Sequence, residues 1–570
     1  MRKIGCLLGW TSALMLAAVL TSYAQGRGGG AWTTVGGDAQ RTAAVRTDPK
    51  ISLASMQKPG FQFLWKRKLD SQPLTQPILL PNIIAYKGFK ALAFVGSASG
   101  NVYSVDYDLN RMFWEQKLTT SVPAAAACSS GLPAITKTTP LAPVVGGGRG
   151  GGGGGGGNRG AAPGGAPGAP PAGTPGAPPV GTPGAPPAGA PAVGGGPGRE
   201  GAIAPPGGPG GGQFGRGRGP QIAGGRGGGD NVFAISTGGM VHVMNPQIGT
   251  DQIPPVKFLP ANANVVGSVL VDNVLYAATT GNCGGAANGV WAVDLVSDAK
   301  PVTTYDAKGA AVAGSAPPTF GTDGTVYIST GAGNSPVANA VVALASKTLE
   351  QKDWFSAGAS PFTSNPVVFQ YKGKDLIVAA NKDGRLYVLD SASLGGADHK
   401  TALHKTTQFS SGAPDLTGLA TWQDAGGTRW IIATSSGAVH ADTKVTMANG
   451  AVTKGALVAF TVVDQNGAPT LQAQWVSRDL ASPVTPAVVN GVVFALASGE
   501  VAGATAAQRA QRSAPAVLYA IDAATGKELW TSGTTITSFV RGVGPSAGDS
   551  QVYVVTQDGT LYAFGMPAER

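Results

Sequence analysis

The chain has little charge, little cysteine and little histidine. Charged residues fill only 13% of its 570 positions, about half the usual share. A coiled coil or a solvated helical array needs charge on its outer faces, so both are excluded. Three cysteines rule out a disulfide scaffold, and no Cys-x-x-Cys-His haem motif occurs. The four histidines (His242, His399, His404 and His440) are too scattered for a metal cluster. His399 and His404 are expected as a solvated pair. No His-Glu-x-x-His or phosphate-loop motif stands outside the low-complexity tract. Beyond the N-terminus, no segment approaches the 18 apolar residues that a membrane helix requires.

What is there in excess is glycine and proline, 88 and 42 residues. Both break helix interiors, which points away from a helical protein. About 38 of the glycines and 16 of the prolines fall within 146–229, where Gly-Ala-Pro-Pro units recur. Such a tract has too few apolar side chains to offset its ordering entropy. Residues 146–229 therefore read as a disordered insertion. Its six arginines against Glu200, together with Arg2, Lys3 and Arg27, hold about 8 of the formal net charge of +10. The remaining chain is nearly neutral, so the basic balance does not describe a nucleic-acid-binding face. Arg-Gly pieces at 216–219 and 226–229 have one aromatic nearby, Phe214, too little for base stacking. No nucleic-acid partner is expected.

The N-terminus has the form of a secretory signal. Arg2 and Lys3 precede an apolar stretch, Ile4 to Leu20, and Ser22-Tyr23-Ala24 offers cleavage after Ala24. Residues 1–24 are expected to be removed, leaving a periplasmic or extracellular protein without an integral membrane domain. Cys128 and Cys283 remain after that cut. An oxidising compartment permits their pairing, and two separate thiols are the alternative that sequence leaves open.

The rest of the chain is repetitive. Val517-Leu-Tyr-Ala-Ile-Asp522 leads through a turn at Thr525-Gly526 to a second strand with Trp530. Related segments begin at Asn101, Met240, Gly289, Ala340, Arg385, Ala456 and Thr560, eight in all. Upstream of most lies a patch of small residues and proline, then two further strands, as at Ser482-Pro-Val-Thr-Pro486. Four short strands per unit and eight units predict an all-β, eight-bladed β-propeller of four-stranded antiparallel blades over 61–570, behind an N-terminal extension at 25–60. The last unit lacks an outer strand, and Phe61 to Leu69 is a Trp-bearing strand without partners. That N-terminal strand is expected to close the ring. The recurrent tryptophans Trp65, Trp114, Trp354, Trp475 and Trp530 are expected between blades.

These residues resemble the pyrroloquinoline quinone (PQQ) repeat of quinoprotein dehydrogenases and their non-catalytic propeller relatives. Trp32-Thr-Thr-Val-Gly36-Gly-Asp38 through Arg41 is similar to the opening segment of quinoprotein alcohol dehydrogenases. The loop at Gly331-Ala-Gly-Asn334-Ser-Pro336 is similar to one that supplies a calcium ligand, which implies that role for Asn334. Asn381-Lys382-Asp383-Gly384 resembles a blade turn whose lysine meets the quinone, which implies that role for Lys382. Two departures stand against catalysis. Between Trp354 and Pro366 there is no carboxylate to act as general base, and Ser129 follows Cys128, so adjacent cysteines cannot pair. The sequence thus predicts a non-catalytic binding or scaffold propeller with a protein or polymer partner on one face and no catalytic residue. A PQQ- and calcium-dependent alcohol or sugar dehydrogenase with an atypical site is the alternative.

Overall fold

The computed structural model describes residues 32–141 and 231–567, apart from 86–87, 123–127, 413, 446, 448 and 502–504. The expected signal segment and the 146–229 tract lie outside the described residues. The chain divides into two units, Met1–Gly146 with Pro220–Arg570, and Gly147–Gly219. Every described strand belongs to the first.

Eight sheets, each with four antiparallel strands, follow one another along the chain, and in the seventh the segment Ala44–Val45 adds a short fifth strand parallel to Ala487–Val489. Blades 1 to 7 span 78–117, 134–257, 265–306, 319–356, 367–405, 419–476 and 487–531. Blade 8 takes its three inner strands from 546–565 and its outer strand, Gln62–Lys68, from the N-terminus. The ring closes as the sequence predicts, with Lys68 opposite Thr560 and Gln62 opposite Gly565. Helix is confined, among the described residues, to Leu53–Met56, Ala506–Arg512 and short 3-10 turns.

Burial explains the strand patterns. A middle strand such as Val492–Ala497 has a neighbouring blade on each face and is buried at every position, so it reads as a continuous apolar run. An outer strand such as Arg111–Lys117 keeps Trp114 buried and exposes Arg111, Met112 and Glu115. The core is therefore a series of layers between blades.

Three of the outer-strand tryptophans make the same contact. The indole N–H of Trp65 donates to Tyr107 O at 3.0 Å, that of Trp114 to Pro246 O at 2.8 Å and that of Trp475 to Ala523 O at 2.9 Å. Each bond runs from one blade to the turn between the last two strands of the next. Trp354 and Trp530 differ: the first stacks on His399, with centroids 3.6 Å apart, and the second lies edge-on to Phe61 at 4.9 Å. His399 is thus a packed residue, bonded through Nδ1 to Asp353 at 3.0 Å, and not half of a solvated pair.

Antiparallel blades sort their connections onto two faces. Loops joining second to third strands, and outer strands to the next blade, share one face. Cys128, Cys283, Asn334 and Lys382 all lie on loops of that side, the loop face. The first strand of blade 2 ends, and its second begins, on the other. There the chain leaves the described fold at Leu141 and re-enters it at Asn231.

Candidate functional site

The axis of the ring is occupied by the chain's own N-terminal segment. Residues 32–48 circle the channel and make a hydrogen bond to each of the eight blades in order. The amides of Leu79, Lys137, Phe320, Val368, Thr421 and Val488 donate to the carbonyls of Trp32, Thr33, Ala39, Gln40, Thr42 and Ala43 at 2.8–3.1 Å. Blade 3 accepts from the Thr34 hydroxyl at Ser268 O (2.8 Å), and the Ser550 amide of blade 8 donates to Asp48 Oδ2 (2.7 Å). Such tight winding needs left-handed backbone, and Arg41 (φ 59°) and Ala43 (φ 51°) adopt it without being glycine, a strain that the surrounding bonds must hold.

Arg41 is the centre of this coil. It is 2% exposed. Its Nη1 donates to Val35 O and Asp38 O, both at 2.8 Å, and its Nη2 to Pro318 O at 2.8 Å. Its Nε is buried and has no partner among the described residues. Burial pulls its pKa down to about 9, partly offset by Asp38, so it stays a cation at neutral pH. Burial likewise raises the Asp38 carboxyl, against hydrogen bonds from Thr42 and the charges of Arg41 and Arg46.

Above the coil lies a small axial cavity of about 40 Å³. Its walls are Trp32, Gly36 and Arg41 from the coil and Gln76, Asn365, Thr417, Thr485 and Gly544 from the starts of innermost strands. Beside it, on the loop face, opens a cleft of about 480 Å³ between blades 6, 7 and 8. Three chain segments line both spaces: Pro414, Asp415 and Leu416 face the cleft where Thr417 and Leu419 face the cavity, and 482–484 with 485–486 and 541–542 with 543–545 repeat the arrangement.

The cleft carries charge. Lys454, Arg509 and Arg541 line it against Asp415 and Glu500. Arg541 Nε lies 3.3 Å from Glu500 Oε1. Burial raises the Glu500 carboxyl, opposed by Arg541 and Arg509. None of these residues stands out in the sequence. The available signal is the proline patch, which recurs where each innermost strand begins and so converges on the axis.

The residues that the sequence points to do not converge on one site. Lys382 Nζ is 3.3 Å from Asp415 Oδ1 on the rim of the cleft. Asn334 is exposed in its loop, with no hydrogen bond among the described residues. Cys128 and Cys283 form a disulfide across 155 residues, with Cα atoms 5.4 Å apart. Asp353, the carboxylate nearest the expected base position, stands on the outermost strand of blade 4 and accepts from Leu394 N at 2.8 Å, at the rim of the ring. Gly544-Pro-Ser546-Ala-Gly548 has the spacing of a nucleophile elbow, yet Ser546 is fully buried on an innermost strand.

Residues 508–566 match the PQQ_2 family, described as outer membrane protein assembly factor BamB. The structure is similar to a quinohemoprotein alcohol dehydrogenase from Comamonas testosteroni (TM-score 0.50, 12% identity, 95% of this chain and 81% of that one). It is similar also to a quinohemoprotein alcohol dehydrogenase from Pseudomonas putida HK5 (0.52, 11%, 95% and 81%) and to a europium-containing methanol dehydrogenase (0.52, 11%, 94% and 98%). The fold is that of the PQQ-repeat propellers. No curated protein matches the sequence.

Do the residues of this propeller suit the quinone and calcium that the resemblance implies? Calcium takes six to eight oxygens, carboxylates among them. Among the described residues no three His, Cys, Asp or Glu side chains come together, and Asn334 offers one exposed amide. The lining of the axial cavity contains no carboxylate. Lys382 is committed to an ion pair. The residues present do not suit the group.

Proposed function

We propose that this chain is an exported, non-catalytic binding propeller that holds a protein or polymer partner on its loop face. The observation that carries the reading is the axial floor. Arg41 and the coil around it fill the axis with hydrogen-bonded backbone, where a quinoprotein enzyme would need a slot for its cofactor. Beside that floor lies an open, charged cleft suited to holding a ligand. The match of 508–566 to an outer membrane protein assembly factor points toward assembly and away from turnover. Export is supported by the signal-like residues 1–24 and by the Cys128–Cys283 bridge, which persists in an oxidising compartment.

The test is direct. PQQ and Ca²⁺ are added to the purified mature protein, which is then passed through gel filtration and assayed for dye-coupled alcohol oxidation. Quinone absorbance lost in the column and no turnover are expected. Retained quinone with turnover sinks the binding-module reading in favour of the dehydrogenase.

A further inference from the structure

We infer that a pocket on the face opposite the loop face binds a small sugar acid, a ring that carries both a carboxylate and hydroxyls. The pocket has a volume of about 330 Å³ and is lined by Arg46, Trp422 and Asp424. That volume lies at the low end of small-molecule sites. The pocket shares no residue with the loop-face cleft, so the inference does not depend on the partner reading.

The fold explains why these residues meet. Ala44–Val45 pairs in parallel with Ala487–Val489, the innermost strand of blade 7, which runs away from the loop face. Arg46 follows directly and so emerges on the opposite side, beside Asn490. Trp422 ends the innermost strand of blade 6, Leu419–Gln423, and Asp424 opens the turn after it. The pocket is therefore held between two blades and the end of the axial coil.

The first ground is Arg46. It is half-buried, and its guanidinium makes no hydrogen bond or ion pair among the described residues. A planar fork of donors partly withdrawn from water gains from an acceptor that matches it, and a carboxylate does. The charge of Arg46 also reaches the guanidinium of Arg429, which is 4% exposed and need not touch a ligand. Burial, and then this like charge, pull Arg429 down to about 10. An anion at Arg46 relieves that repulsion.

The second ground is Trp422. It is half-buried and lies nearly parallel to Trp430, with planes 17° and centroids 6.3 Å apart. Its far edge sits against Gly491, where an added Cβ would stand 3.5 Å from the indole. These neighbours fix the ring in the pocket wall. A fixed indole offers a flat apolar surface to the C–H face of a sugar ring. The loop-face cleft has no aromatic lining, so of the two spaces this one suits a ring.

The third ground is Asp424. Its Oδ1 accepts from Thr428 N at 2.8 Å and its Oδ2 from the Trp430 indole N–H at 3.0 Å. Burial works to raise this carboxyl, but those bonds hold it below the ordinary value. It is therefore ionised at neutral pH, and its oxygens keep lone pairs for a further donor. With its charge already met by two N–H groups, it calls for a hydroxyl more than for a second cation. A simple aromatic acid would leave Asp424 without a donor, and a neutral sugar would leave Arg46 without an anion. A sugar acid satisfies both.

The mature full-length protein is titrated by calorimetry with galacturonate and glucuronate. Galactose, benzoate, phenylalanine and inorganic phosphate serve as comparisons. The uronates are expected to bind, and each comparison to bind about tenfold more weakly or not at all. Arg46→Gln removes a charge from a side chain without hydrogen bonds, so the fold should hold, which thermal melting checks. It is expected to lose about tenfold in uronate affinity. Trp422→Leu is expected to weaken the uronates as well, and Trp422→Phe replaces it if the first variant melts early. Uronates that do not bind, or that bind no better than any one comparison, overturn the proposal. So does native affinity in Arg46→Gln or in the Trp422 variant that folds.

Discussion

The ring of Trp475 occupies the space that a β-carbon on Gly526 would need. An added Cβ there would stand 2.8 Å from the indole, and Gly526 has a φ of 73°. The same pairing recurs between Trp114 and Gly249, at 2.7 Å with φ 74°. The glycine of the repeat's turn is thus held by two demands at once, its own left-handed backbone and the preceding blade's tryptophan.

Gly526→Ala should accordingly lower stability by about 2–3 kcal/mol, the left-handed backbone and the overpacking each contributing. Gly533→Ala is the control, because Gly533 is left-handed (φ 54°) with open space around it. It should cost only about 1 kcal/mol. Denaturant midpoints of the two variants would separate the contributions. Equal shifts would show that the tryptophan contact costs nothing.

Acid should act through Asp70. Burial alone would raise its carboxyl, but the hydroxyls of Ser97, Ser99 and Tyr103 and the Ser71 amide hold it at about 2. A folded pKa below the unfolded value of 3.8 contributes stability that is present above about pH 4. That stability is lost as pH falls through about 2. The group is only partly buried, so the contribution should be roughly 1 kcal/mol after solvent screening. Asp70→Asn should reduce the slope of stability against pH between about 4 and 2, read by fluorescence-detected unfolding.

The disulfide should matter more. Bridging Cys128 to Cys283 encloses a long loop, and opening a bridge of that span is expected to cost about 3–5 kcal/mol. Thermal melts with and without reductant would measure it. Denatured exported protein should show no free thiol and begin at Gln25, since Cys6 leaves with the signal. A thiol titre of one or an uncut N-terminus would contradict the expected processing.

Lys382 should prove nearly silent. Its partner Asp415 is almost fully exposed, and ion pairs of that kind contribute about 0–1 kcal/mol. Lys382→Ala should leave the melting temperature within about 1 °C. It should also leave the protein as unable as before to retain quinone. If the native chain retained quinone and this variant did not, a site at Lys382 would be established.

Much of the ring was legible because blades bury both faces. That requirement leaves continuous apolar runs such as Val492–Ala497, tryptophans at fixed places and glycines in the turns between. The unpaired strand from Phe61 to Leu69 and the missing outer strand after Phe564 named each other. The path of 32–48 was not legible. Its bonds to the blades run mostly from backbone to backbone, and such bonds ask for no particular side chain. The cleft was hidden for a different reason. Glu500 and Arg541 sit in connections of irregular length and Arg509 on the short helix Ala506–Arg512, where spacing carries no blade periodicity and only the fold brings them together.

The axial coil also sets an order of events in time. Residues 32–48 and Gln62–Lys68 are synthesised before the first blade, yet their partners include Ser550 and Thr560–Gly565 of the eighth. Contacts of such sequence separation form late and at a high cost in loop entropy. Individual blades can begin to pair while the chain is still growing, but the channel cannot seal until the eighth blade has been made. A truncation of the final strand should therefore leave an open ring with exposed edges, a species prone to self-association rather than a smaller version of the native protein.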